Sequence, residues 1–220
     1  MTAGAAVAES VVPEPDFHED PDLVGPEAVV PLTAAREPSG SVWVGRFPGS
    51  RSTADLTPGF GQAVEKFIRS MTAARATVRI SASFRPPERA YLMHYAWEIA
   101  REHGDPTQVP SMPGVNIEWA HRDAAGRVDR AASERAAEEM VRGFGMSVKA
   151  ALRSRHTERR AIDMSISWSG ALTLADAGGA LVTIDTPPHD GSNTRLHAVG
   201  RSFGVIKLVS DPPHWSDDGH

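Results

Sequence analysis

The 220-residue chain contains no cysteine. Disulfides, thiolate metal sites and thiol nucleophiles are thereby excluded, while the redox compartment stays open. Long apolar runs are missing as well: nothing approaches the roughly 18 residues that mark a membrane-spanning helix. The stretch from Met1 to Val12 has no basic n-region and no sustained apolar h-region, so it does not read as a Sec signal peptide. Dense basic clusters are also lacking. With 23 Lys and Arg against 28 Asp and Glu, the chain does not present the cationic face of a nucleic-acid binder.

What is present is unevenly spread. Residues 1–40 hold eight acids against one base, and six of the 17 prolines. Such a segment buries little and cannot offset its ordering entropy, so 1–40 reads as an acidic, proline-rich tail or linker and 41–220 as one domain. The domain is nearly neutral, and an overall 40% of hydrophobic residues is ordinary for a globular fold.

Periodicity then predicts the elements. Ser41–Val44 reads as a short strand or anchoring turn. Thr57-Pro58 supplies a hydroxyl N-cap and a proline at the first helical position, followed by Phe60, Val64, Phe67, Ile68 and Met71 on one stripe. Thr77 to Phe84 alternates with period two, a half-buried strand. Pro87 to His103 reads as a second helix. Residues 104–132 are poorly periodic, the mark of a functional segment or an insertion. Ser133 is expected to cap a third helix over 134–142, which Gly143-Phe144-Gly145 ends. Ala161 to Trp168 is a strand with Ile162, Met164, Ile166 and Trp168 on one face, which turns Asp163 to the other. A hairpin is expected around Asp176-Ala177-Gly178-Gly179, then a helix over 193–203 and a last strand over 205–209. Helices and strands in this order, without regular βαβ alternation, predict an α+β fold with a small antiparallel sheet packed with helices.

Two stretches carry chemistry: Ser154–Asp163 and Asp211-Pro212-Pro213-His214-Trp215. Together they offer two imidazoles and a carboxylate, the three-ligand set of a catalytic zinc that keeps one position open. The paired prolines predict polyproline II, with Asp211 and His214 on the same side and Cα atoms about 9 Å apart. That spacing suits a metal on His214 and a water between it and Asp211. A zinc ion on His156, Asp163 and His214 would bring its water to a pKa of about 7. Asp211 would then act as general base and pass the proton to a leaving amine, with Arg85 as the cationic partner of the oxyanion. His18, His94, His103, His121, His189, His197 and His220 read as ordinary surface or satisfied residues.

The same residues resemble a known family. Ser154-x-His156-x4-Ala161-x-Asp163 is similar to the SxHxxGxAxD signature of the zinc D-Ala-D-Ala metallopeptidases, which include D-alanyl-D-alanine carboxypeptidases and dipeptidases and L-alanyl-D-glutamate endopeptidases. Asp211-x-x-His214-Trp215 resembles the family's closing motif, and Ser83-Phe84-Arg85-Pro86-Pro87 its upstream segment, in matching order over about residues 57–215. The resemblance implies a hedgehog/D,D-peptidase-like fold and one Zn2+ ion on His156, Asp163 and His214. It also implies Asp211 as general base, Arg85 as substrate- and oxyanion-binding residue, and Ser154 lining the substrate site. Where the signature has glycine, this chain has Arg159.

The expected activity is therefore hydrolysis of peptide bonds in peptidoglycan stem peptides, in the cell wall or periplasm. The missing Sec signal points to delivery by lysis or specialised secretion; an antibacterial effector would also need an immunity protein or a secretion partner. Two alternatives stand beside it. A non-haem Fe(II) oxygenase also uses two His and a carboxylate, usually with a short His-x-Asp/Glu spacing, whereas here six residues separate His156 from Asp163. A non-catalytic, zinc-stabilised cell-wall-binding or interaction domain would have no need of Asp211 and Arg85.

Overall fold

A computed structural model describes residues 35–220. In chain order the elements are β1 (Glu37–Pro38), α1 (Pro58–Ala73), β2 (Thr77–Ala82), α2 (Pro87–Arg101), β3 (Ile117–Glu118), α3 (Arg130–Gly143), β4 (Ala161–Ser167), β5 (Leu172–Ala175), β6 (Leu181–Ile184), α4 (Thr194–Ser202), β7 (Ile206–Lys207) and β8 (His214–Ser216). The fold is α+β, as expected. Among the described residues, no helix is long and apolar enough to cross a membrane.

The central sheet runs in the order β2-β4-β8-β7, with every neighbouring pair antiparallel. One face of it is a core wall. Ile162, Met164 and Ile166 from β4 and Trp215 from β8 bury against Phe60, Val64, Phe67 and Met71 of α1 and Leu196 and Val199 of α4. Each large side chain buried in this way contributes about 1.5–3 kcal/mol. Helix α4 approaches Trp215 so closely that a Cβ on Gly200 would sit 2.8 Å from the indole ring and from the Val205 carbonyl. Only glycine admits that contact. The β5–β6 hairpin closes the same core through Leu172, Leu174 and Ile184.

A second core lies between α2 and α3, where Tyr91, Leu92, Ala96 and Ile99 meet Ala137, Met140 and Val141. Here the stretch 104–132 finds its place. Its Val115, Ile117 and Trp119 are buried in this core, and Trp119 Nε1 donates to the Tyr91 hydroxyl at 3.0 Å. Its lack of periodicity reflects a chain held by isolated anchors and two-residue pairings.

Several boundaries move. The acidic segment through residue 34 lies outside the described residues, but Glu37–Pro38, expected to belong to it, pairs in parallel with Ile117–Glu118, and the compact body begins at Arg36. Ser41–Trp43 is a 3-10 turn. Helix α3 is capped by Asp129, whose carboxylate accepts from the Ala132 amide at 2.9 Å. Ser133, the expected cap, is instead buried inside the helix, its hydroxyl donating back to the Asp129 carbonyl and accepting from the His121 amide. The last expected strand is cut to two residues, and β8 was not foreseen. Most consequential is Asp211-Pro212-Pro213-His214. It is no polyproline II segment but a turn in which the His214 amide donates to the Asp211 carbonyl at 3.0 Å, a closure that brings the terminal Cα atoms within about 7 Å. Proline fixes φ but leaves ψ to be decided by what the carbonyls meet. The Pro213 carbonyl meets the Met164 amide at 2.8 Å.

Candidate metal centre

The sheet places two of the expected ligands. Asp163 on β4 pairs with His214 on β8 and with Ala82 on β2. Residues opposite one another in adjacent strands share a face with Cβ atoms about 4.5–5.5 Å apart, so Asp163 and His214 meet on the face turned away from the core. His156 arrives from the turn before β4. Thr157 Oγ1 shapes that turn, donating to the Ser154 carbonyl at 2.8 Å and accepting from its amide at 3.0 Å. The His156 carbonyl accepts from the Arg85 amide at 3.2 Å, tying the turn to the end of β2.

The three side chains converge. His156 Nε2 lies 3.1 Å from Asp163 Oδ1 and 3.2 Å from His214 Nδ1, and His214 Nδ1 lies 3.3 Å from Asp163 Oδ1. His156 and His214 are buried and Asp163 is partly so. The outward nitrogens fix the tautomers. His156 Nδ1 faces the Ser83 carbonyl at 3.0 Å and His214 Nε2 faces the His220 carbonyl at 3.1 Å. A carbonyl only accepts, so those nitrogens carry protons, and in a neutral ring the inward nitrogen then presents a bare lone pair. Two imidazole lone pairs and a carboxylate oxygen thus point at one place. Only positive charge reconciles them: extra protons on the rings, or a cation. Tetrahedral coordination with ligand bonds of about 2.0–2.1 Å separates its donors by about 3.3 Å, the spacing seen. The His156-Asp163-His214 group can hold a metal ion, and outward bonds from both rings to carbonyls are the usual support for ligating histidines.

The imidazoles also act on Asp163. Burial pushes its carboxyl up, but its hydrogen-bonding and charge interactions with His156 and His214 overcome that push and hold it well below the usual carboxylate range.

The centre opens into a cleft of about 1050 Å³ that Arg85, Ser154 and Asp211 also line. All six residues singled out in the sequence therefore share one cavity. Arg85 is half-buried, and among the described residues its guanidinium forms no hydrogen bond. Burial lowers its pKa, while Asp163 and Asp211 act against that shift through charge. Asp211 stands exposed at the rim. The Ser154 hydroxyl is buried with no hydrogen-bond partner among the described residues, as is that of Ser83 beneath His156.

Arg159, at the position of the signature glycine, has φ 61°. It adopts the left-handed conformation that glycine takes freely, so the turn keeps its shape at a cost in strain. Its guanidinium lies 4.4 Å from the centre of the Phe84 ring, and its carbonyl accepts from the Thr57 amide at 2.9 Å.

Three features escaped the sequence. The segment 144–151 forms a cleft wall, fastened to α2 by Lys149, which pairs with Glu98 and Glu102, and by His94, whose Nδ1 lies 2.8 Å from the Ala150 carbonyl. Arg155, between Ser154 and His156 in the chain, binds Asp218 and Glu158, while Arg160 binds Asp217, lashing the His156 turn to the chain after β8. Lys207 is buried beneath the Asp211–His214 turn. A lysine inside the apolar run Val205-Ile206-Lys207-Leu208-Val209 was the available signal for the last. Neither a scan against protein-family models nor a search of curated proteins finds a match for this chain.

Proposed function

We propose that the chain is a single-zinc peptidase of the hedgehog/D,D-peptidase fold that hydrolyses peptide bonds in peptidoglycan stem peptides. The observation that carries this reading is the convergence of three metal donors at tetrahedral spacing in a cleft that also holds an exposed carboxylate and an unengaged guanidinium. A purely structural metal site needs neither. The motif resemblance supplies the substrate class, which in turn puts the activity in the cell wall or periplasm.

His156, Asp163 and His214 would hold the ion, which when bound supplies Lewis acidity and a water acidified to a pKa near about 7. Asp211 would take a proton from a water attacking the peptide carbon and return it to the nitrogen as the C–N bond breaks. Arg85 faces the carbonyl oxygen, where negative charge gathers; a preorganised donor of this kind contributes about 2.7–4 kcal/mol to the barrier. Ser154 lines the same cleft, and its hydroxyl has no hydrogen-bond partner among the described residues.

The test is mass spectrometry of purified muropeptides after digestion, with metal analysis of the protein. Wild type is expected to contain zinc and to release shortened stem peptides, chelation to abolish release, and Asp211→Ala to keep zinc while losing about 100- to 10,000-fold in rate. Unchanged muropeptides with zinc-loaded wild type refute the peptidase reading; undiminished cleavage by Asp211→Ala removes the assigned base.

A further inference from the structure

Lys207 is the buried cation that the proposed mechanism leaves without a task. It is 7% exposed, and among the described residues no carboxylate contacts its ammonium. Burying an ammonium without a paired anion is costly unless its protons are all taken. They are taken here by the carbonyls of Leu208, of Asp211 at 2.5 Å and of His214 at 3.0 Å. An ammonium has three protons, so its capacity is filled. The acceptors are not scattered: they belong to one loop that begins at Leu208, bears the exposed Asp211 carboxylate and ends on the ligand His214. The Asp211 carbonyl that Lys207 holds is also the one that closes the turn with the His214 amide.

We propose that Lys207 is a positioning residue for the metal centre: its ammonium gathers three carbonyls of the 208–214 loop and so sets His214 and Asp211 on the same cleft. The bland account is that the lysine stem merely fills space beside Trp215, whose ring centre lies 5.7 Å from Nζ. The two accounts separate on substitution. Methionine reproduces the stem and satisfies a packing role, but it leaves all three carbonyls without their donor.

The inference rests on the metal-binding part of the proposed function and not on peptidase activity. Chelator-stripped wild type and Lys207→Met are titrated with zinc, and their cobalt(II)-loaded forms compared by visible absorption. Lys207→Met is expected to bind zinc about 10- to 100-fold more weakly, the usual loss when a ligand's supporting contacts are removed, and to show a displaced cobalt spectrum. Wild-type affinity and spectrum in Lys207→Met overturn the proposal while leaving the peptidase reading intact. A wild type that binds zinc but cleaves no muropeptide sinks the peptidase reading and leaves this one standing; a wild type that binds no metal sinks both. Should Lys207→Met fail to fold, Lys207→Arg gives the answer. It keeps charge and stem, but its planar fork cannot aim donors at the same three carbonyls, so wild-type affinity and spectrum there also overturn the proposal.

Discussion

Asp163→Asn tests the centre at its sharpest point. The change is isosteric. It preserves the register that pairs position 163 with His214, and it leaves the main-chain carbonyl that accepts from Ser81 Oγ. What it removes is the one anionic donor among three that lie 3.1–3.3 Å apart. For wild type, zinc at 100 times Kd adds about 2.7 kcal/mol to stability. In a body the size of Arg36–His220, each kcal/mol raises Tm by about 2–4 °C, giving a shift of about 5–11 °C. Loss of a direct ligand costs at least the roughly 100-fold that an outer partner can cost. At the same zinc concentration the variant then sits no higher than its own Kd, and the stabilisation falls to about 0.4 kcal/mol, or about 1–2 °C. Calorimetry on chelator-stripped protein, with and without zinc, measures both numbers. Equal zinc-induced shifts in the two proteins would mean that the convergent donors do not bind the ion, and the reasoning from their lone pairs would fail.

Two further outcomes follow from the same geometry. Because the fold depresses the Asp163 pKa, its contribution to metal-free stability is fully present above the unfolded value of about 3.9 and is lost as pH falls through the lower folded value; acid unfolding of chelated wild type should show this limb and Asp163→Asn should not, parallel limbs being the refuting result. Arg159→Gly should change stability by no more than about 1 kcal/mol in urea melts, relief of left-handed strain offsetting the lost stacking on Phe84, while Arg159→Val should destabilise by more than that; a severe loss in the glycine variant would show that the side chain, not the backbone, holds the turn.

How much of this was legible in the sequence depended on whether a signal was local. Phe60, Val64, Phe67 and Met71 recur at helical spacing and are buried on one face of α1. The alternation of β4 turned Asp163 off the core face, and that parity is seen. Both patterns are imposed by backbone period alone. Strand β8 was illegible because three residues are too few for a period, and its pairing is decided by β4 and β7 on either side. Ser133 failed as a cap for a related reason: Asp129 lies a turn earlier and also offers a side-chain acceptor, and the sequence does not say which of two such residues the helix will begin on.

The closing motif shows where local rules give way to tertiary ones. Two consecutive prolines favour an extended backbone at the residue before each, and the reading of Asp211 and His214 as neighbours on an extended rod followed from that local preference. Against it the fold sets the Met164 amide on the Pro213 carbonyl, the His214 amide on the Asp211 carbonyl, and the Lys207 ammonium on the Leu208, Asp211 and His214 carbonyls. Each bond to a neutral donor is worth about 0.5–1.5 kcal/mol net and each to a charged donor about 1.5–3, so their sum exceeds the preference of the prolines. The turn changes what positions the two residues. On a polyproline rod, Asp211 and His214 would keep their separation unaided; in a closed turn, the distance between Asp211 and His214 is set by the groups that hold the turn shut, and the strongest of these is a lysine on the neighbouring strand.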